Sequence, residues 1–266
     1  MKGIDVSYSQ KNVDWNAVKA AGRGDFAMIR AGYGRFISQK DEQFENHYAG
    51  AKAAGIPVGA YWYSYATTPD EARQEARVCL EVIRSKQFEF PIWFDMEEQS
   101  AFDTGRANCS AMIRAFCDEL EAAGYFAGLY ISAEPFKACT DESIRTRYAL
   151  WLADWRGSLH YDGAVGIWQS SETGRVDGVR GKVDLDECYV DYPSIIVGGG
   201  FNGFPKPKPL YDPEMKPGDI DFGRVPYISG MNAGHVQTYI KWVTCLGAGD
   251  YQDTAEDFGR YLSENA

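Results

Sequence analysis

The chain is predicted to fold in the α/β class, as a closed barrel missing part of its helical ring, with a small and mainly helical C-terminal appendage. Three observations predict this. Eight short apolar runs recur between residues 3 and 185, with the length and composition of buried strands. Helix-patterned stretches separate the first five runs and then thin out, so eight strands share five full helices. Acidic residues Asp5, Asp95, Glu97, Asp154 and Asp184 fall at or near the ends of these runs, where barrels of this kind gather reactive groups.

The first five runs lie at residues 3–7, 26–31, 57–63, 90–95 and 126–132. Residues 41–54 read as a helix stopped by Gly55. Thr68 can cap the next helix, with Pro69 at its first position and Glu71 completing a capping box. Another helix carries Ile113, Phe116, Cys117 and Leu120 on one face and stops at Gly124. Beyond Ser132, a short polar segment over residues 134–143 leads to runs at 148–154, 165–169 and 182–185, with little room for helices between them. The barrel is therefore expected over residues 1–197. At Gly198 the composition shifts, and three glycines followed by Pro205, Pro207 and Pro209 read as a flexible, then stiff linker over residues 198–217. These glycines fit a G-x-G-x-x-G spacing, but prolines stand where a phosphate-binding helix would begin, which excludes a dinucleotide site. Residues 218–266 form the appendage, near the lower size limit for independent folding. Helical patterns cover residues 235–246 and 254–262.

Bulk properties narrow the function classes. A formal net charge of −11 and a pI near 4.8 argue against nucleic acid and against anionic membranes as partners. No apolar run approaches the length of a membrane span. The six cysteines lack C-x-x-C spacing and read as mostly free, buried thiols of a protein made in a reducing cytoplasm. No signal-peptide pattern precedes the first strand, which fits synthesis in the cytoplasm. His47, His160 and His235 lie far apart without metal-ligand spacing, and no G-x-S-x-G elbow occurs, so neither a zinc site nor a serine nucleophile is expected.

The chemistry concentrates at Asp95-Met96-Glu97. Alternation along a strand sends Asp95 and Glu97 to one side and Met96 to the other. Two carboxylates held together repel, which pushes one ionisation upward, helped by an apolar wall from Trp93 and Phe94. An acid beside an anion is the pairing that cleaves a glycosidic bond. An isolated D-x-E can equally be a strand that ends in solvated acids. Likewise, any one of the aromatics near the strand ends is as suited to the core as to a substrate wall.

Eight blocks act together. Gly3-Ile4-Asp5-Val6-Ser7, Met28-Ile29-Arg30-Ala31-Gly32-Tyr33-Gly34, Gly59-Ala60-Tyr61-Trp62-Tyr63, Phe94-Asp95-Met96-Glu97, Leu129-Tyr130-Ile131-Ser132, Leu150-Trp151-Leu152-Ala153-Asp154-Trp155, Ile167-Trp168-Gln169 and Val183-Asp184-Leu185-Asp186 occur in this order. In order and spacing they resemble the glycoside hydrolase family 25 muramidases, the Chalaropsis-type lysozymes found in phage endolysins and bacterial autolysins. The resemblance covers residues 1–197 and does not reach the tail. It implies an irregular, TIM-like β5α5β3 barrel and hydrolysis of the β-1,4 bond between N-acetylmuramic acid and N-acetylglucosamine in peptidoglycan glycan strands. It also implies no cofactor and no metal.

By position, Glu97 would be the general acid and Asp95 the second carboxylate, remaining anionic to stabilise, attack or orient. Asp5 and Asp184 would tune charge and place substrate or water. Tyr61, Tyr63, Tyr130 and Trp151 would line the groove, with Asp154 and Gln169 as further contacts. Glu98 is expected to face away as a solvated loop charge. The setting implied is a phage or prophage endolysin released by a partner such as a holin. Two alternatives remain open: a non-catalytic carbohydrate-binding barrel, and a metal-assisted hydrolase using the same acids. For the tail, the candidates are a cell-wall ligand and self-association. With six basic and nine acidic residues after Gly200, a net of −3, simple adhesion to acidic wall polymers is disfavoured.

Overall fold

Apolar runs that alternate with amphipathic helices bury both faces of a sheet, and closure removes its edges. In the computed structural model, which describes residues 1–206, eight strands close into one barrel in sequence order. They are β1 (Lys2–Val6), β2 (Phe26–Tyr33), β3 (Val58–Tyr63), β4 (Ile92–Asp95), β5 (Ala127–Ser132), β6 (Ala149–Ala153), β7 (Ile167–Gly174) and β8 (Val183–Cys188). The α-helices are α1 (Trp15–Ala20), α2 (Phe44–Ala53), α3 (Pro69–Ile83), α4 (Gln99–Phe102), α5 (Arg106–Ala122), α6 (Ala133–Cys139), α7 (Glu142–Arg147) and α8 (Tyr192–Gly199). Neighbouring strands from β1 to β7 pair in parallel, whereas β8 runs antiparallel to both β7 and β1. Residues 175–182, which join β7 to β8, are too few for a parallel crossover, which needs roughly a dozen residues.

Local signals explain the element ends. Thr68 accepts a hydrogen bond from the Glu71 backbone N–H and caps α3, as expected. The Glu71 carboxylate, however, turns to the N–H and hydroxyl of Thr67 instead of closing the box on Thr68. Gly55 and Gly124 adopt φ of 67° and 85° just beyond α2 and α5, a conformation that favours glycine. The segment expected to be merely polar, residues 134–143, is largely helical in α6 and the start of α7.

Two apolar cores result. The larger lies between the barrel and its helices, where Phe94 meets Phe116 at 4.6 Å between ring centroids. A smaller one fills the barrel interior with Phe26, Met28, Phe90, Trp93, Tyr130, Trp151 and Ile167. Tyr192 and Ile196 of α8 join it, with the Tyr192 ring against Phe90, Trp93 and Phe126, so α8 plugs the end opposite the strand C-termini. Interior aromatics of this size need glycine opposite them. A methyl group added at Gly128 would lie 2.4 Å from the Trp93 ring. Gly128→Ala is expected to lower stability by about 1–3 kcal/mol in urea unfolding, and an unshifted midpoint would show that the interior has slack.

The expected barrel boundary at residue 197 needs correction. Residues 198 and 199 belong to α8, and Phe201 and Phe204 pack on the interior core. Asn202 is fully buried; its amide nitrogen donates to the carbonyls of Phe88 and Phe90 at 3.1 and 2.8 Å, and its oxygen accepts from the Phe126 N–H at 2.7 Å. A glycine-rich composition looked like spacer because it does not show that one asparagine satisfies three backbone groups. The chain divides into units Met1–Lys208 and Pro209–Ala266. The rest of the expected linker, the appendage and its two helices lie outside the described residues. Among those described, five cysteines are free and four of them buried, and no helix is long and apolar enough to cross a membrane.

Candidate active site

Strand parity places alternate side chains inside the barrel, and those near the C-terminal ends of the parallel strands open onto one pocket. Asp5 comes from β1, Arg30 from β2, Tyr61 and Tyr63 from β3, Asp95 from β4 and Glu97 from just beyond it. Tyr130, Trp151 and Gln169 follow from β5, β6 and β7. Because β8 runs antiparallel, its beginning reaches the same mouth, and Asp184 lies directly opposite Asp5. Asp95 is flanked in register by Tyr63 and Tyr130, so a carboxylate stands between two phenols. Phe94, expected as part of the apolar wall, faces outward on the other side of the strand; Trp93 alone of that pair is inside.

Five carboxylates (Asp5, Asp95, Glu97, Glu172 and Asp184) and one guanidinium, that of Arg30, line the pocket. Asp95 is 3% exposed and its Oδ1 has no hydrogen-bond partner among the described residues. Burial, then the charge of Glu97, raises its carboxyl well above the usual range, opposed by Arg30. Glu97 as a residue is exposed at the rim, yet its carboxyl is set far enough between the walls that desolvation raises it too, with Glu98 and Asp184 adding to the shift. Burial thus raises the carboxyls of both members of the expected acid and anion pair, Glu97 and Asp95. Both are pushed upward, because Asp95 lies the deeper and loses more water.

Arg30 is held by Asp41, whose Oδ2 accepts from its Nε at 2.7 Å, and its guanidinium sits over the rings of Tyr8 and Tyr33. Gln169 is a hub. Its amide oxygen accepts from the Tyr130 hydroxyl at 2.9 Å and from the Trp155 indole at 3.0 Å, which turns its NH2 toward Asp5 Oδ2 at 2.8 Å. The Trp151 indole donates to Asp186 at 2.8 Å, and its ring packs edge-on against Tyr61, Trp93 and Tyr130. Glu75, fully buried in α3, accepts from the Ser64 hydroxyl and the Tyr65 N–H. Burial pushes its carboxyl up to about 7. It anchors the turn after β3, at Ser64 and Tyr65, directly behind Tyr63.

Two expectations are revised. Asp154 does not line the pocket: its oxygens accept from the Arg156 guanidinium at 2.7 and 2.8 Å and from the His160 backbone N–H at 2.9 Å. These bonds, Arg156 foremost, hold its carboxyl well below the ordinary range. Position at a strand end suggested substrate contact, but basic partners two and six residues downstream claim it first. Glu98 is not simply solvated, since the Tyr63 hydroxyl donates to it at 2.6 Å. Sequence reasoning also passed over Arg30, Trp155, Glu172 and Asp186. Parity was the available signal for two of them: Arg30 is two residues beyond inward-facing Met28, and Asp186 two beyond Asp184. Among the described residues, no group of three or more His, Cys, Asp or Glu side chains is arranged to hold a metal ion.

A closed α/β barrel with carboxylates and aromatics gathered at one mouth is of the glycoside-hydrolase class. The chain belongs to the glycosyl hydrolases family 25, whose model matches residues 4–179. It is 30% identical over 200 residues to the autolytic lysozyme of Clostridium acetobutylicum, covering 75% of this chain and 58% of that protein. Lysozyme M1 of Streptomyces globisporus is 28% identical over 204 residues, which are 70% of this chain and 67% of that one. The solved bacterial lysozyme of Streptomyces coelicolor superposes with a TM-score of 0.63 at 26% identity, over 71% of this chain and 92% of that chain. The chain thus spans well under two thirds of the length of the clostridial relative.

Proposed function

We propose that the barrel is an N-acetylmuramidase that hydrolyses the β-1,4 bond between N-acetylmuramic acid and N-acetylglucosamine in peptidoglycan. The observation that carries this reading is the pair Asp95 and Glu97 in one aromatic-walled pocket, one buried with an uncommitted oxygen and the other at the rim. Glu97 meets the glycosidic oxygen as a proton donor, and burial, Glu98 and Asp184 raise its carboxyl so that it holds its proton above the pH at which a free glutamate would lose it. As the bond breaks, positive charge develops on the sugar ring. That charge favours the anionic form of Asp95, against the burial that raises its carboxyl, and water adds to the ring carbon to complete the hydrolysis. Arg30 supports the same ionisation. Tyr61, Tyr63, Tyr130 and Trp151 supply ring faces and hydroxyls for the glycan, while Gln169 orients Asp5 and Tyr130.

Names of the relatives support a wall substrate, as lysozyme and autolytic lysozyme. Digestion of purified peptidoglycan followed by mass spectrometry is expected to show muramic acid at every new reducing end. Glucosamine there would contradict the proposal, and intact glycan would favour a barrel that binds without cutting.

A further inference from the structure

Asp186 lies beneath the pocket, two residues along β8 from Asp184 and on the same inward face. It is fully buried, opposite Gly3 on β1 and Gln169 on β7. Its Oδ1 accepts from the Trp151 indole at 2.8 Å, and its buried Oδ2 has no hydrogen-bond partner among the described residues, while Asp5 is its diagonal neighbour on the same face of β1. Two ionised carboxylates so placed in a buried interior repel, because each presents only lone pairs to the other. A single proton between them turns the repulsion into a hydrogen bond and satisfies the empty oxygen.

We infer that Asp186 is a positioning residue for the proposed hydrolysis: it shares a proton with Asp5 and clamps the Trp151 indole, so that pocket floor and acidic wall are set by one carboxyl group that never meets the substrate.

The surroundings leave that proton few competitors. Facing Asp186 are Asp5 from β1, Asp184 and Cys188 from β8, the neutral Trp151 and Gln169 from β6 and β7, and Arg23 from the turn before β2. Arg23 acts on Asp186 through its charge without a hydrogen bond to it. Burial is the largest influence on both acids, raising Asp5 well above the usual range and Asp186 to about 8. Asp184 follows to about 6, again chiefly through burial. Asp184 in turn adds to the upward push on the Glu97 carboxyl.

The inference rests on the hydrolase reading, but its first test does not need activity. In the wild-type protein, the Trp151 indole N–H resonance, assigned by its loss in Trp151→Phe, is expected to move with pH. Its inflection should lie well above the ordinary aspartate range, reporting the acid it touches. Asp186→Asn keeps an acceptor for the indole and a donor for Asp5 while removing the charge. That variant should abolish the inflection and make kcat/KM fall less steeply above about pH 8, where wild-type Asp186 loses the shared proton and becomes a second negative charge beside Asp5. An indole signal flat between pH 4 and 9, or a variant profile superimposed on that of wild type, would overturn the inference. A titrating indole in a protein that fails to cut peptidoglycan would uphold the shared proton and the indole clamp and reject the hydrolase reading instead.

Discussion

Replacing Glu97 by Gln lowers clearance of purified cell walls by about 10²–10⁴-fold, the scale on which a general acid contributes, while the unfolding midpoint stays where it was. The stability half of this expectation follows from the residue's place beyond the end of β4, exposed at the rim. Gln is close to isosteric, but its amide N–H is not acidic enough to transfer a proton to a leaving oxygen. The pH dependence has a definite sign. Desolvation, Glu98 and Asp184 all raise the Glu97 carboxyl, so the wild-type enzyme keeps its acid above the pH at which a free glutamate would have ionised. Its rate then falls as pH climbs through that raised value, and the residual rate of the variant should lack this basic limb. Turbidity assays across pH on wild type and variant measure both. Undiminished lysis by the variant would remove Glu97 from the mechanism.

Asn202→Ala is expected to lose about 2–4 kcal/mol of stability in urea unfolding. Its side chain satisfies the carbonyls of Phe88 and Phe90 and the N–H of Phe126, and each buried group left alone costs about 1–3 kcal/mol, with some relief from water. The residue also holds φ at 53°, where asparagine is tolerated better than alanine, which adds to the loss. The effect falls on the segment residues 200–204, whose packing closes the barrel's far end below β4 and β5. Activity of the folded fraction at low temperature should be unchanged, because the pocket is at the opposite mouth. A midpoint within a few tenths of a kcal/mol of wild type would restore the earlier boundary at residue 197.

Both variants mark the border between what local pattern reveals and what it hides. The eight strands were legible because buried strands need unbroken apolar runs, and the helix ends because capping and left-handed glycine turns use few residue types. The acids at strand ends were legible for the same reason: parity and position are local properties. Asp154 misled because it has the same local look as Asp95, and its fate depended on Arg156 and His160 folding back onto it. Asp186 and Arg30 went unmarked, and Glu98 read as merely solvated, because their partners, Trp151, Asp41 and Tyr63, come from other parts of the chain.

Taken alone, the amino-acid order determined the barrel class, the strand sequence and the arrival of Asp5, Asp95, Glu97 and Asp184 at one mouth, since alternation and apolar length act over a few neighbouring residues. Tertiary structure decided the antiparallel closure by β8, the far end of the folded unit and the protonation balance among the acids. Those depend on how much water each group loses and which distant charge it meets, quantities that exist only once the sheet has closed on itself.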